Sequence, residues 1–557
     1  MAIDTETISL EDRTLVGFSV AGKQNAQYYP IAHNKIENID KLGALIMLQN
    51  FIDNNVIVFH NSSFDIPVLT KWGIDFSKAK IHDTLVIANL YDENIRHGLK
   101  SLSKRYLHYT MTELKEIIGT GKHRISVADA DERILKYAAD DAKQTLKLFN
   151  YLYPKLDEKL LKVYEDIERP LLMVVADMHI HGITIDALSV LNIENLCARK
   201  VKKALERLEY LMPNVNYNST KQLREFFINK EMMPIIKETK KGSPAVDKEV
   251  LTKYAETNGA AKLLIEYRKY NKILTTFIPM LTPTVVNIAD YRGKIHPSFN
   301  QSGTTSGRFS CSKPNVQQIP KDDEFNIREC FIAGEGNILI GFDFSQIELR
   351  IAAHLSQDFN LMKAYKNDED IHAQTAKECT CSRKHAKIIE YSMLYGAYYK
   401  RLAKSLNVPE REAQIYMENF WKTYSGLADY IERIRTEVKT YRYVTTIMGR
   451  KRRLTKDYMV KDDYDKGREI RSLINATIQG SCADFVKKAM VDIQPQLKAL
   501  GGSLVMTVHD ELIAEVPKNM ATKAQNIMSK CMINATKILS VPVKVEGGAA
   551  ETWQQIH

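Results

Sequence analysis

The stretch that most limits what this chain can fold into is an apolar segment that ends in a single carboxylate. Residues 338–342 have the length and composition of a buried strand, and Asp343 follows directly. A polar turn and the start of a helix come next. A carboxylate in this position is held on a rigid element and faces an open edge, which suits a metal ligand. An Asp that caps the following helix is the alternative.

A second pair of acids lies far downstream. Asp510 and Glu511 interrupt the apolar stretch 504–516. Two dispersed carboxylates on neighbouring strands can hold two divalent cations, which is the arrangement for in-line phosphoryl transfer. The presence of Asp510 therefore favours a metal site at Asp343 over a helix cap.

Composition excludes some classes of protein and permits others. A chain of 557 residues is too long for one core, so we expect about two to four domains. The formal net charge of +10 permits a polyanionic partner without requiring one. The seven cysteines are scattered and form no zinc pattern, which indicates free thiols in a reducing compartment and predicts a cytoplasmic location. The longest apolar runs are shorter than the roughly 20 residues of a membrane span, so we expect no membrane partner.

The order of the predicted elements indicates two main units. Residues 1–154 alternate short strands (14–20 and 55–59) with helical patterns (41–52 and 132–151), which predicts an α/β domain. Residues 155–557 form the second unit. It contains mainly helical material at 187–285, strands near 293–299 and 337–342, a long helical block at about 359–496, and strand and helix at 500–550.

The first unit contains a set of carboxylates at informative spacings. Asp4 and Glu6 lie two residues apart on a strand, so their side chains point to one face. Asp65 follows a second strand, and Tyr137 and Asp141 share a helical face. Four carboxylates with one tyrosine can bind two divalent cations and orient a water for phosphodiester hydrolysis. A degenerate relic of such a site is the alternative.

These three segments, in this order, resemble the tyrosine-containing branch of the proofreading 3′–5′ exonuclease superfamily. The resemblance implies an RNase H-like fold for residues 1–154. It also implies that Tyr137 positions the attacking water and that four acids hold the metals: Asp4, Glu6, Asp65 and Asp141.

The helical segment 383–396 places cations and aromatic residues on one face. Its four spaced residues recur every fourth position, which keeps them on one broad side of an α-helix: Arg383, Lys387, Tyr391 and Tyr395. If this face bound a nucleotide, the triphosphate would lie against the two cations at the helix N-terminus, and the sugar and base would reach the tyrosines. In that role, Lys387 could neutralise charge on the pyrophosphate leaving group. A basic amphipathic helix that packs its tyrosines into a core is the alternative.

Residues 343–350, with the sequence DFSQIELR, closely match motif A of the family A DNA polymerases, the bacterial polymerase I type. Residues 383–396 resemble motif B, and 508–511 resemble motif C. The resemblance implies an α+β right-hand polymerase domain over 155–557. Its thumb would cover about 187–285 and its fingers about 359–496, while the palm would comprise about 160–186, 286–358 and 497–557.

The resemblance also implies residue roles. Asp343 and Asp510 would hold two Mg²⁺ or Mn²⁺ ions, as would the exonuclease acids, and Glu511 would tune the polymerase site. Glu348 would be the steric gate that excludes a ribose 2′-hydroxyl. The nucleotide would also meet Gln346 and His372. Template–primer contacts are expected from seven residues: Arg308, Asn315, Gln317, Arg471, Asn475, Gln479 and His509.

Two residues depart from the common bacterial pattern in the 383–396 segment. Glu390 stands where Asn is frequent, and Ser392 stands where Gly is frequent. An added acid near the triphosphate path has no explanation in the sequence.

The expected function is that of a DNA-directed DNA polymerase with proofreading that acts on primer–template DNA and dNTPs. We expect no 5′-nuclease domain, and phage enzymes often have this reduced form, so a phage origin and an unidentified processivity partner are further expectations. Three alternatives remain open from the sequence. They are a 3′–5′ nuclease whose second unit only grips DNA, a single-subunit RNA polymerase, and a non-enzymatic DNA-binding scaffold.

Overall fold

The computed structural model describes residues 1–9, 12–239, 242–283, 286–287, 291–321 and 324–556. Within these residues the strands are β1 Ala2–Thr7, β2 Leu15–Ala21, β3 Ala26–Pro30, β4 Val56–Phe59, β5 Lys80–Asp83, β6 Ile183–Asp186, β7 Val286–Asn287, β8 Arg292–Ile295, β9 Ser298–Asn300, β10 Ser310–Ser312, β11 Asn337–Phe344, β12 Tyr443–Thr445, β13 Lys451–Arg453, β14 Ser503–Val508, β15 Glu511–Pro517 and β16 Val545–Ala550.

The α-helices of the same residues are α1 Lys41–Asn54, α2 Ser62–Trp72, α3 Thr84–Tyr91, α4 Leu99–Tyr106, α5 Lys115–Ile118, α6 Arg133–Leu152, α7 Glu158–Val163, α8 Arg169–His181, α9 Ala187–Leu211, α10 Thr220–Arg224, α11 Lys248–Tyr254, α12 Gly259–Lys272, α13 Ile278–Leu281, α14 Ile347–Ser356, α15 Phe359–Lys366, α16 Ile371–Glu378, α17 Arg383–Leu394, α18 Tyr399–Leu406, α19 Glu410–Thr423, α20 Ser425–Tyr441, α21 Asp463–Lys498 and α22 Ala521–Ala535.

The N-terminal unit is built on a five-stranded mixed sheet with the order β3-β2-β1-β4-β5. The central strand β1 is antiparallel to β2 and parallel to β4, and α6 packs across β1, β2 and β3. Consecutive strands β1 to β3 form a meander, while β4 and β5 each follow a helix and run parallel, as crossover connections require. The predicted α/β class is confirmed, and the predicted strands and helices correspond to β2, β4, α1 and α6.

The second unit contains a four-stranded antiparallel sheet with the order β14-β15-β11-β16. The register of β11 places Asp343 opposite Glu511 on β15 and opposite Glu546 on β16. The expectation that Asp343 ends its strand is therefore wrong by one residue, because both flanking strands extend the ladder to Asp343 and β16 extends it to Phe344. The apolar stretch 504–516 is a hairpin whose two-residue turn is His509-Asp510.

The block at 359–496 is helical from α15 to α21 but is interrupted by the hairpin β12–β13. Helix α20 ends where Arg442 adopts a left-handed backbone, with φ of 67°, and Gly449 turns the chain with φ of 103°. The β-branched run that follows Arg442 favours extended structure over helix. Most of this block shares one hydrophobic core with the antiparallel sheet, whereas parts of α9 to α12 form a separate cluster. Among the described helices, none has the length and apolar character needed to cross a membrane.

A single helical rod joins the two units. Helices α7 and α8 are continuous through a π-helical segment, Tyr164–Glu168. Leu160 and Leu172 of this rod are buried in the core of the first sheet, while Leu171 and Val175 are buried in the core of the second unit. The packing boundary between the units therefore lies along the rod, beyond residue 154.

Polar contacts fix the same interface away from the rod. Glu93 follows α3 and accepts hydrogen bonds from Arg452 and Arg453 of the β12–β13 hairpin, at 3.0 and 2.7 Å from their Nη1 atoms. Lys451 of the same hairpin holds the start of the rod as well, because it lies 2.5 Å from Asp157, the N-cap residue of α7. The first unit is thus attached to the helical block as well as to the rod.

A buried charge cluster lies where the rod, the hairpin and α21 meet. Glu168 accepts hydrogen bonds from Arg450 and from Lys487, whose Nζ lies at 2.6 Å, and Arg450 Nε donates to Asp484 at 2.8 Å. Gln301 Nε2 donates to the second oxygen of Glu168 at 2.6 Å. Burial alone would raise the pKa of Glu168, but Lys487 and Arg450 hold it below its usual value. Burial lowers the pKa of Lys487 to about 8.

We expect Arg450→Met to destabilise the protein by about 3–5 kcal/mol, because it leaves Glu168 and Asp484 buried without this partner. The measurement is urea unfolding followed by circular dichroism. Arg133→Met is the matched control, since the Arg133–Asp131 pair is exposed and its loss should leave the midpoint unchanged. Equal midpoints for wild type and Arg450→Met would contradict this role of the cluster.

Candidate active sites

The structure brings three of the four predicted exonuclease acids into one cluster. Asp4 and Glu6 project from β1, and α6 brings Asp141 to them, so that their ligand oxygens lie within 4.8 Å of one another. Asp65, in the first turn of α2, lies beside this cluster. One of its oxygens accepts hydrogen bonds from the backbone N–H and the hydroxyl of Thr5, at 3.1 and 2.6 Å.

The electrostatics of this cluster fit a cation site. Burial raises the pKa of Glu6 to about 8 and that of Asp65 to about 7. Burial also raises the pKa of Asp4, with further contributions from the charges of Asp65, Asp141 and Glu6. Asp141 Oδ1 is buried without a hydrogen-bond partner. Crowded carboxylates with an unsatisfied oxygen are the donor set that hard divalent cations prefer.

Tyr137 lies one helical turn before Asp141 on α6 and is buried. Burial, followed by the charges of Asp141 and Glu6, raises its pKa well above the usual value, so the hydroxyl keeps its proton. Lys100, near the start of α4, donates from Nζ to Tyr137 Oη at 2.9 Å. The sequence analysis did not identify Lys100, because no spacing rule connects α4 with α6.

In the second unit, the antiparallel sheet brings Asp343 together with Asp510. Burial raises the pKa of Asp343 to about 8, with further contributions from Asp510 and Glu511. Burial also raises the pKa of Asp510, to which the charge of Glu348 adds. Asp343 Oδ1 is buried without a hydrogen-bond partner, which again fits a cation ligand. Glu511 is buried and accepts a hydrogen bond from Trp553 Nε1 at 3.0 Å, so this acid is anchored toward the core.

Helix α17 forms one wall of a cavity of about 400 Å³. Lys387, Tyr391 and Tyr395 all line this cavity, and the two tyrosine rings are 6.4 Å apart between centroids. Arg383 is not among the residues that line it; its Nε donates to Asp370 at 2.8 Å on the exposed end of the helix. The structure therefore brings together three of the four residues predicted to share this face.

Glu348 connects the cavity to the metal-site acids. Its buried carboxylate accepts hydrogen bonds from Arg308 and from the hydroxyl of Tyr395. Two residues before it, Gln346 has a left-handed backbone with φ of 53° and accepts a hydrogen bond from the Tyr365 hydroxyl at 3.0 Å. Because Gln346 precedes α14, this turn directs Glu348 into the first turn of the helix.

His372 and Glu390 form a buried pair between α16 and α17. His372 Nδ1 is hydrogen-bonded to the Glu390 carboxylate, and only 4% and 2% of the two residues is exposed. The acid that the sequence left unexplained thus faces α16 and not the cavity. His372 is absent from the residues that line the cavity, and its contact with a nucleotide stays a prediction.

The seven predicted DNA contacts fall into separate groups. On α21, the Gln479 side chain lies near the Tyr395 hydroxyl, and Arg471 Nη1 donates to the Tyr398 hydroxyl at 2.6 Å. Gln317 Nε2 donates to the Thr507 carbonyl of β14 at 3.1 Å. The remaining members are Asn475 on α21, Asn315, whose side chain accepts from the Gln317 N–H, Arg308 at Glu348, and His509, which is exposed with φ of 58°.

Comparisons with known proteins agree with this geometry. Residues 189–555 match the family described as DNA polymerase family A, and residues 1–157 match the 3′–5′ exonuclease family. DNA polymerase I of Pseudomonas aeruginosa is 32% identical over 586 residues, covering 100% of this chain and 64% of the relative. DNA polymerase I of Rhizobium leguminosarum is also 32% identical, with 100% and 59% covered. The chain spans about three fifths of the length of these curated relatives.

A solved structure matches over the whole chain. It is described as the POL domain of Pol1 from M. smegmatis in complex with DNA primer-template and dNTP. It has a TM-score of 0.86 and 25% sequence identity, and the match covers 100% of this chain and 96% of that one. With a family match that extends over more than half of its residues, and a sheet that brings Asp343 to Asp510, the chain belongs to DNA polymerase family A and has a 3′–5′ exonuclease domain at its N-terminal end.

Proposed function

We propose that this protein is a template-directed DNA polymerase that extends a primer 3′ end with dNTPs and removes errors at a separate 3′–5′ exonuclease site. The observation that carries the proposal is the junction of Asp343, Asp510 and Glu348 with Tyr395, because it joins a metal-type acid pair to a cavity that also exposes Lys387. The names of the relatives support the same reading.

The polymerase and exonuclease acids would each hold two divalent cations, Mg²⁺ or Mn²⁺. Such ions lower the pKa of the attacking oxygen and neutralise charge on the phosphates. The polymerase ligands would be Asp343 and Asp510, with Glu511 supporting them from the core. The exonuclease ligands would be Asp4, Glu6, Asp65 and Asp141.

The remaining residues would bind and orient the substrates. Lys387 and Arg383 would hold the triphosphate, which requires Arg383 to leave Asp370. Tyr391 would lie against the sugar, and Tyr395 against the base and the primer terminus. In the exonuclease site, the Tyr137 hydroxyl would donate to the attacking water. Gln479 and Arg308 reach the same cavity through Tyr395 and Glu348, which suits contacts with the terminal base pair.

The hand-like subdivision is part of the proposal. The thumb at about 187–285 is supported by its separate hydrophobic cluster, which extends from Ala204 to Tyr267. The palm would carry the antiparallel sheet and the fingers would carry α15 to α21. A location in the cytoplasm, a phage origin and an accessory processivity factor stay predictions from the sequence.

The nuclease-only, RNA polymerase and scaffold alternatives each have a clear test. Primer extension with dNTPs would exclude both a nuclease that only grips DNA and a non-enzymatic scaffold. Efficient use of NTPs by the unchanged protein would favour an RNA polymerase. The buried position of Glu348, with both carboxylate oxygens engaged, supports the deoxyribose-specific reading.

We expect reciprocal losses of activity when the two acid clusters are changed separately. Asp510→Ala should lower primer extension by at least about 100-fold and leave primer degradation intact. Loss of a residue that only supports a metal ligand already costs about 10- to 100-fold, and loss of the ligand itself should cost more. Asp4→Ala with Glu6→Ala should do the reverse. Both activities are read on one gel with a labelled primer–template. Loss of both activities in either variant would show that the sites are not separate.

We expect Glu348→Ala to weaken the preference for dNTPs over NTPs by about 10- to 200-fold, which is the usual worth of one steric contact. The removed carboxylate would otherwise occupy the space of a ribose 2′-hydroxyl. Glu348→Gln is the control, since it keeps the volume and should keep most of the preference. Single-nucleotide incorporation kinetics give both values. Unchanged discrimination in Glu348→Ala would rule out the gate.

We expect the stabilisation by Mg²⁺ to increase from about pH 6 to about pH 9. The carboxyl groups of Asp343 and Glu6 have pKa values raised to about 8 in the folded protein, mainly by burial. The metal-free folded state therefore binds more protons than the unfolded state, and its stability falls as pH rises toward about 8. Bound cations offset this loss.

Thermal unfolding with and without Mg²⁺ measures this effect. The matched control is a variant with Asp343→Asn and Glu6→Gln, in which the Mg²⁺-dependent shift in melting temperature should vary less with pH. If Mg²⁺ raised the melting temperature of the wild type equally at about pH 6 and at about pH 9, the metal assignment would be contradicted.

A further inference from the structure

Lys100 makes contacts that the proposed function does not yet use. Its Nζ lies 2.9 Å from Tyr137 Oη and 4.4 Å from the centroid of the Tyr137 ring. Lys100 is the second residue of α4, and it is half-buried. Its charge also acts on Asp4, Glu6 and Asp141, and in each case favours the ionised carboxylate.

The position of the Tyr137 ring is fixed by packing. The ring is 8% exposed and belongs to a buried cluster that includes Val16, Ile134 and Ala138. With the ring fixed, the remaining freedom of this side chain is the rotation of its hydroxyl proton.

Lys100 removes that freedom. A phenol has one O–H donor and can also accept, whereas a lysine ammonium can only donate. When Lys100 donates to Tyr137 Oη, the tyrosine proton must point elsewhere. The groups around this hydroxyl are the carboxylates of Asp141, Glu6 and Asp4, whose charges all act on Tyr137. The hydroxyl is thereby directed toward the carboxylate cluster.

We propose that Lys100 is a positioning residue of the exonuclease site, which turns the Tyr137 hydroxyl into a donor aimed at the water that attacks the terminal phosphodiester of a DNA strand. This inference rests on the proposed exonuclease function. In the hydrolysis, the water oxygen bonds to phosphorus and the bond to the O3′ of the preceding nucleotide breaks. O3′ takes up a proton, and the released mononucleotide carries the new oxygen.

The first test compares Lys100→Met with wild type in single-turnover degradation of labelled single-stranded DNA. We expect a rate about 10- to 100-fold lower, the usual cost of losing a group that orients a metal-site residue. Lys100→Arg should recover part of the rate, because a guanidinium also only donates. Lys104→Met is the matched control, since Lys104 is exposed one turn further along α4 and should not matter. Unchanged primer extension by every variant shows that the chain is folded.

A double-mutant cycle decides whether Lys100 acts through Tyr137. If it does, Lys100→Met should cost at most about twofold in the Tyr137→Phe background, because the positioned hydroxyl is already gone. A full 10-fold or greater loss in that background would mean that Lys100 acts independently, for example on a DNA phosphate, and would overturn the proposal.

Calorimetric binding of Mn²⁺ provides a readout other than activity. Removing a cation beside the carboxylates should leave Mn²⁺ affinity equal or higher. Weaker Mn²⁺ binding by Lys100→Met would mean that Lys100 holds the cluster together and would overturn the positioning role. If wild type degrades no DNA, the exonuclease function itself fails. If wild type is active and Lys100→Met is equally active, only the role of Lys100 fails.

Discussion

The arrangement of both candidate sites depends on the ionic cluster around Glu168. This carboxylate lies at the point where the α7–α8 rod, the hairpin β12–β13 and α21 converge, and its partners Arg450 and Lys487 come from the latter two elements. Each of these charged side chains is nine-tenths or more buried, so its burial would be strongly unfavourable without the opposite charges around it. The cluster thus specifies one arrangement of three elements. Because the rod also enters the core of the first sheet, the same contacts set the position of the N-terminal unit.

The two acid clusters reach similar electrostatics by different routes. In the first unit, one strand supplies two carboxylates at alternate positions and a crossing helix supplies a third. In the second, a strand and the turn of an adjacent hairpin supply one each. In both, burial and mutual repulsion raise carboxyl pKa values, and one oxygen is left without a hydrogen-bond partner. Burial of crowded carboxylates is unfavourable for folding, and the fold accepts it at two places. Both places are therefore suited to bind divalent cations.

Features that follow local periodicity could be predicted from the sequence, and features that depend on contacts between distant elements could not. The alternation along β1 predicts that Asp4 and Glu6 converge. The recurrence of residues at every fourth position predicts the face of α17 that lines the cavity with Lys387, Tyr391 and Tyr395. Lys100 was missed because its partner lies on another helix. Glu390 had no explanation until α16 brought His372 against it. The β12–β13 hairpin was hidden within a helical pattern because its strands are only three residues long.

The α7–α8 rod has a consequence for how an error would be corrected. Its residues are buried in both cores, so the two units do not swing relative to each other without exposing apolar surface. In the proposed function, the distance between the synthetic and the editing site is therefore constant, and the growing DNA end must cover it. The DNA end has to leave Asp343 before it can reach Asp4. The competition between extension and removal then depends on how readily the DNA end leaves the polymerase site, because the distance it must cover does not change.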